Sequence, residues 1–244
     1  MAQAESAVTK RPAFYHRWLS PEGYLGLHLA IGFVLALLAG IAFGAIAEVV
    51  TDAHDVLMAD AHAQRAIARV VSPRLTPAVM ALTFMGSLVF ITLLSLVVIL
   101  WLVLAHSHRR LYAFVASVAG AAILNQALKL VFQRARPENP LVIAHGYSFP
   151  SGHSMTAMAF YGTLAYVIYF SAEGHRIVRI IAVAVCGLMV VAIGTSRIYL
   201  GVHYFSDVVA GYAAGLCWAS VCMSGVEAWV RWTDWRQKRR SARS

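Results

Sequence analysis

Six long apolar stretches separated by short polar ones set the pattern of this chain. They run from about Tyr24 to Ala47, Met80 to Ala105, Leu111 to Phe132, Ser154 to Ser171, Ile177 to Thr195 and Asp207 to Val230. A hydrocarbon core of roughly 30 Å takes about 20 helical residues at roughly 1.5 Å each, so every stretch is near the length of one crossing. Within lipid each backbone polar group must be satisfied inside its own segment, which selects helices. The pattern predicts an all-α integral membrane fold with six transmembrane helices.

Composition agrees. Of 244 residues, 60% are hydrophobic and 13% charged, with mean hydropathy +0.68, outside the range of a soluble domain of this length. The first stretch ends in Ala45-Ile46-Ala47, which looks like a signal-peptidase site. It is longer than the roughly 7–15 residues of a signal peptide's apolar region, so a retained helix is expected. From Glu48 to Pro77 polar and apolar positions mix, with Asp52, Asp55, Asp60, Arg65 and Arg69 among Val and Ala. This predicts an amphipathic segment on the outer surface between helices 1 and 2, its charges forming a solvated face. His54 and His62 beside these aspartates match no standard metal-ligand spacing.

No internal repeat or low-complexity linker divides the chain, so residues 1–244 are expected to form one domain: a cytoplasmic segment 1–23, a six-helix core 24–230 and a basic cytoplasmic tail 231–244. The net charge of +9 would suit nucleic acid if it formed one patch. Instead Lys10, Arg11 and Arg17 precede the first stretch, Arg109 and Arg110 follow the second, Arg176 and Arg179 follow the fourth, and Arg231, Arg236, Lys238, Arg239, Arg240 and Arg243 follow the last. That alternation is what the positive-inside rule produces with both termini in the cytoplasm, and the tail is expected to meet anionic headgroups rather than nucleic acid. Phe14, Tyr15, Trp18, Trp229, Trp232 and Trp235 mark the interfaces. Cys186, Cys217 and Cys222 lie within apolar stretches and read as packing residues without a disulfide.

Three polar clusters interrupt this background: Lys129-(x6)-Arg136-Pro137, Pro150-Ser151-Gly152-His153, and Ser196-Arg197-(x5)-His203-(x3)-Asp207. The first two lie at the junction of stretches three and four, Lys129 in the last turn of the third, and the last lies at the junction of five and six, so all converge on one membrane face. Each has a plain reading: Lys129 as a snorkelling lysine, Ser151 and Gly152 as an ordinary helix start, His203 and Asp207 as a structural hydrogen bond. Together they offer more. Four residues apart on a helix, Asp207 can hold one ring nitrogen of His203 and leave the other free to attack. Lys129, Arg136 and Arg197 supply fixed cations, the helix start at Ser151 and Gly152 offers backbone N–H groups to an anion, and His153 can donate a proton. Arg134 and His145 fit none of the clusters and are read as surface or headgroup contacts.

The three clusters, complete at each motif position between Lys129 and Asp207, resemble the signature of the type 2 phosphatidic acid phosphatase superfamily. The resemblance implies a phosphatase that needs neither metal nor other cofactor. It assigns His203 as the nucleophile forming a phosphohistidine, Asp207 as its orienter, and His153 as the group that protonates the leaving oxygen and then activates water. Lys129, Arg136, Ser151, Gly152 and Arg197 would cradle the phosphate, with Pro137, Pro150 and Ser196 in support. Soluble haloperoxidases and acid phosphatases share this signature, and the hydropathy excludes both. A membrane lipid in a bacterial plasma membrane is therefore the expected substrate, met on the periplasmic or exterior face. Undecaprenyl diphosphate, phosphatidylglycerol phosphate and phosphatidic acid stay open, as does the oligomeric state. So do a lipid phosphotransferase using the same histidine and a non-catalytic lipid-binding or transport protein.

Overall fold

The computed structural model describes residues 24–52 and 58–241. The sequence expectations for residues 1–23, for His54 and Asp55, and for Arg243 lie outside them. Eight helices follow in order: α1 (Tyr24–Asp52), α2 (Met58–Ala68), α3 (Thr76–Phe84), α4 (Leu88–Leu104), α5 (His108–Phe132), α6 (Gly152–Ser171), α7 (Arg176–Tyr199) and α8 (Phe205–Ser241), with no strand among the described residues. Within α1, α5, α7 and α8 the segments Leu29–Asp52, His108–Phe132, Arg176–Tyr199 and Phe205–Val230 are long and apolar enough to cross a bilayer. The α3–α4 pair makes a fifth, bent by 44°. The chain is thus an all-helical, multi-pass membrane protein.

Several boundaries depart from expectation. The second apolar stretch, read as one helix from Met80 to Ala105, is broken at Met85-Gly86-Ser87. Ser87 caps α4, its hydroxyl accepting from the Phe90 N–H at 3.2 Å. Apolar length does not register such a cap. Helix α1 runs on past Ala47 to Asp52, α7 continues through Ser196 and Arg197 to Tyr199, and α8 passes Val230 to Ser241, so the expected tail is mostly helix.

The fourth stretch forms α6, which is not among the segments that pass on apolarity. The reason is its place. It packs against α5, α7 and α8 and buries Ser154, Met155, Ala157, Ala159, Phe160, Tyr161, Thr163 and Val167. A helix enclosed by helices need not match lipid, and small residues let its backbone approach a neighbour closely. Gly211 and Gly215 of α8 make that approach possible, because a Cβ there would stand 2.7 Å from the Ser151 carbonyl oxygen and 2.5 Å from that of Met155.

Helix α2 corrects the solvated-face expectation. Arg65 and Arg69 are exposed, but Asp60 is completely buried. The helix lies against α7 and α8, and Ile67 packs on Tyr199, Leu200 and Val202.

Candidate active site

The site is assembled where the α5–α6 loop meets the α7–α8 turn. Gln133 caps the end of α5, its left-handed backbone (φ 47°) returning its N–H to the Lys129 carbonyl at 3.0 Å. The chain then folds back over the helix end. Lys129 Nζ donates to the Tyr147 carbonyl, Ser148 N–H donates to the Arg134 carbonyl at 2.8 Å, and Leu141 N–H reaches the Leu200 carbonyl at 2.9 Å. Pro137 is buried in this loop.

Arg136 is braced by three backbone oxygens. Nε donates to Gly146 at 2.9 Å, Nη2 to His145 at 3.0 Å and Nη1 to Val202 at 2.8 Å. The same Nη1 points at His203 Nε2, 3.3 Å away. Arginine carries no acceptor, so this contact places the lone pair on Nε2 and the ring proton on Nδ1. Nδ1 faces Asp207 Oδ2 at 3.4 Å without completing a hydrogen bond. Burial pushes the His203 imidazole down to about 4, against the opposing pull of Asp207. The ring is therefore neutral at pH 7, with its free lone pair under the arginine.

His203 and Asp207 meet as expected, though not by stacking on a helix. His203 belongs to the turn before α8 and Asp207 to the first turn of that helix. The Tyr204 N–H donates to Asp207 Oδ2 at 2.9 Å, and Ser148 Oγ donates to the same oxygen. The backbone joins the second cluster here, since the Ser151 N–H donates to the Asp207 carbonyl at 3.0 Å.

At the start of α6, Ser151 is the cap: its hydroxyl accepts from Ser154 Oγ at 3.0 Å and from Ser154 N–H at 3.4 Å. Gly152 is needed for space, because a Cβ there would lie 2.9 Å from Asn125 Oδ1. Asn125 Nδ2 in turn donates to the Pro150 carbonyl at 3.3 Å. His153 follows, within the electrostatic reach of Arg197, His203, Arg136 and Lys129. Arg197 comes from the last turn of α7, held by one bond from Nη1 to Thr83 Oγ1 at 2.9 Å, while its buried Nε has no partner. Ser196 stands apart, its hydroxyl donating to its own helix at the Ile193 carbonyl, 2.5 Å away. The geometry therefore unites Lys129, Arg136, Ser151, Gly152, His153, Arg197, His203 and Asp207, with the Pro137 and Pro150 backbone in support, and leaves the Ser196 side chain outside. Among the described residues no group of three or more His, Cys, Asp or Glu side chains is placed to ligate a metal.

Arg134 corrects the surface reading. Its Nη1 donates to Asp207 Oδ1 at 2.6 Å and to Ser206 Oγ at 2.7 Å, and its Nη2 to Asp60 Oδ2 at 2.9 Å. His145, by contrast, is exposed as expected and lends only its carbonyl. A signal for Arg134 lay in its place two residues before Arg136: residues two apart in an extended segment face the same side, so an inward Arg136 carries Arg134 inward with it. Nothing in the local sequence marked Asp60.

A model of the PAP2 superfamily matches residues 110–231, half of the chain. The chain belongs to the PAP2 superfamily. Phosphatidylglycerophosphatase B of Bacillus subtilis is 42% identical over 99 residues, 38% of this chain and 47% of that one. Lipid A 1-phosphatase of Rhizobium johnstonii is 32% identical over 120 residues, 43% of each. The chain thus spans less than half the length of the curated relatives it matches. The crystal structure of the transmembrane PAP2-type phosphatidylglycerolphosphate phosphatase from Bacillus subtilis superposes with TM-score 0.64 at 28% identity, covering 78% of this chain and 93% of that one. Aquifex aeolicus LpxE shares the fold, with TM-score 0.54 at 22% identity over 69% of this chain.

Proposed function

We propose that this PAP2 chain is a metal-independent lipid phosphatase. It removes phosphate from a lipid phosphomonoester or diphosphate, and phosphatidylglycerol phosphate is favoured by the 42% identity to a protein named for that activity. The observation that carries the reading is the placement of His203, with Arg136 on Nε2 and Asp207 behind Nδ1. A phosphate dianion attracts Arg136, Lys129 and Arg197, and the unpartnered Arg197 Nε suits one of its oxygens. Ser151 and Gly152 line the same cradle. His203 Nε2 then forms a bond to phosphorus as the bond to the leaving oxygen breaks, and Asp207 stabilises the imidazolium. His153 gives the leaving oxygen its proton. Water next attacks the phosphohistidine, His153 takes the water's proton, and His203 is restored as phosphate departs. Charge neutralisation by fixed cations takes the place of a metal ion.

The test is phosphate release by the purified enzyme in detergent from undecaprenyl diphosphate, phosphatidylglycerol phosphate and phosphatidic acid, each with excess EDTA. Release is expected with EDTA present, fastest from phosphatidylglycerol phosphate. Loss with EDTA that Mg²⁺ restores would overturn the mechanism, and turnover only with an acceptor lipid would make the protein a phosphotransferase.

In the proposed topology α6 completes six crossings of a single-domain core in a bacterial plasma membrane. Both termini are cytoplasmic and the site faces the periplasm or exterior, following the positive-inside pattern. Glu138 and Glu173 are exposed in loops at opposite ends of α6. With Cys186, Cys217 and Cys222 replaced, Glu138→Cys in intact cells is expected to react with an impermeant maleimide, and Glu173→Cys only after permeabilisation. The reverse labelling would invert the protein.

A further inference from the structure

We propose that Asp60 of α2 is a positioning residue for the His203–Asp207 pair, acting through Arg134. The inference rests on the phosphohistidine reading above. Asp60 Oδ1 accepts from the Ser206 N–H at 2.8 Å, and Oδ2 accepts from Ser206 Oγ at 2.7 Å and from Arg134 Nη2 at 2.9 Å. Arg134 Nη1 in turn holds Asp207 Oδ1 at 2.6 Å. Asp60 and Asp207 are both completely buried, and the guanidinium between them is 15% exposed. Its face is covered by the Tyr204 ring, 4.2 Å from the centroid.

Two physical effects follow. A guanidinium is planar and rigid, so fixing Nη2 on Asp60 fixes Nη1 and with it the plane of the Asp207 carboxylate that faces the imidazole. Charge sharing is the second effect. Two carboxylates around one guanidinium leave one net negative charge. Without Asp60 the arginine would neutralise Asp207 alone, and less negative charge would remain to meet the positive charge that His203 acquires as it attacks. Stability gives little reason for the arrangement, because buried ion pairs contribute weakly once desolvation is counted. The network also ties α2 to the first turn of α8, where Ser206 and Asp207 are neighbours.

The experiment is a double-mutant cycle on the full-length enzyme. Asp60→Asn is expected to lower kcat by about 10- to 100-fold, the range seen when a partner behind a first ligand is removed. KM and inhibition by orthophosphate should stay within about two-fold, because Lys129, Arg136 and Arg197 are untouched. Formation of the labelled phosphohistidine should slow by the same factor as kcat. On an Asp207→Asn background, Asp60→Asn should cost less than about two-fold more, since the group it positions is already altered. Equal losses on both backgrounds, or a rise in KM with kcat unchanged, would overturn the proposal. Ser206→Ala removes one hydrogen bond from Asp60 and one from Arg134, and it is put through the same cycle if Asp60→Asn folds poorly; full additivity there would be equally decisive against it. The wild-type protein separates the two readings. No phosphate release by wild type overturns the phosphatase reading, whereas an active wild type with a fully active Asp60→Asn overturns only the role of Asp60.

Discussion

His203→Ala is expected to lower phosphate release by about 10⁶-fold, the scale reached when the nucleophile of a two-step hydrolase is removed. The imidazole is held from both sides, by Arg136 on Nε2 and by Asp207 facing Nδ1. Rapid quench with a ³²P-labelled lipid should leave label on the wild-type chain in the peptide containing His203, stable to alkali and lost in acid as a phosphoramidate is. His203→Ala should carry none. Asp207→Asn should still acquire label, but up to about 10⁴-fold more slowly, because an amide no longer selects the Nδ1-protonated ring. Label on Ser151 would transfer the nucleophile role to the cap of α6. Full turnover by His203→Ala would remove the covalent mechanism.

His153→Ala is expected to show the next largest loss, and its size should depend on the leaving group. With an alkyl phosphate the departing oxygen needs a proton, and losing a positioned acid costs roughly 10²- to 10⁴-fold. An aryl phosphate such as p-nitrophenyl phosphate leaves without that help, so its rate of phosphohistidine formation should fall far less. The cations around His153 explain why its proton and the substrate belong together: the dianion brings the negative charge that lets a fourth cation form among Arg197, Arg136 and Lys129. Equal losses for both substrates would show that His153 only packs the site.

Most of this site was legible because its residues occur in short runs with distinctive chemistry. Apolar length located the five segments long and apolar enough to cross, and the three polar clusters fell at the end of α5, the start of α6, the end of α7 and the start of α8. The reading failed where tertiary contacts decide. Asp60 lies in a weakly patterned segment, and a buried carboxylate looks like a solvated one until the arginine that neutralises it is known. Arg134 was passed over because it fits none of the three clusters, and a loop sequence does not say that both cations turn inward. The pairing of His203 with Asp207 was anticipated for the wrong reason: helical stacking gave the right neighbours, but a turn feeding the first residues of α8 brings them together. The cap at Ser87 was invisible beneath the apolarity of Leu82 to Leu104.

The enclosure of α6 bears on how the protein is made. A segment with His153, Ser154, Thr156 and Thr163 is a weak candidate for entering lipid alone; Thr163 finds its partner on α5, Thr156 and Ser154 find theirs at the start of α6, and α8 closes over it. Three of the site's residues therefore reach their places only after later parts of the chain have been synthesised and have found them. Defects in the Gly211 and Gly215 contact should thus surface first as failed insertion and degradation at the translocon, before any enzyme exists whose rate could be measured.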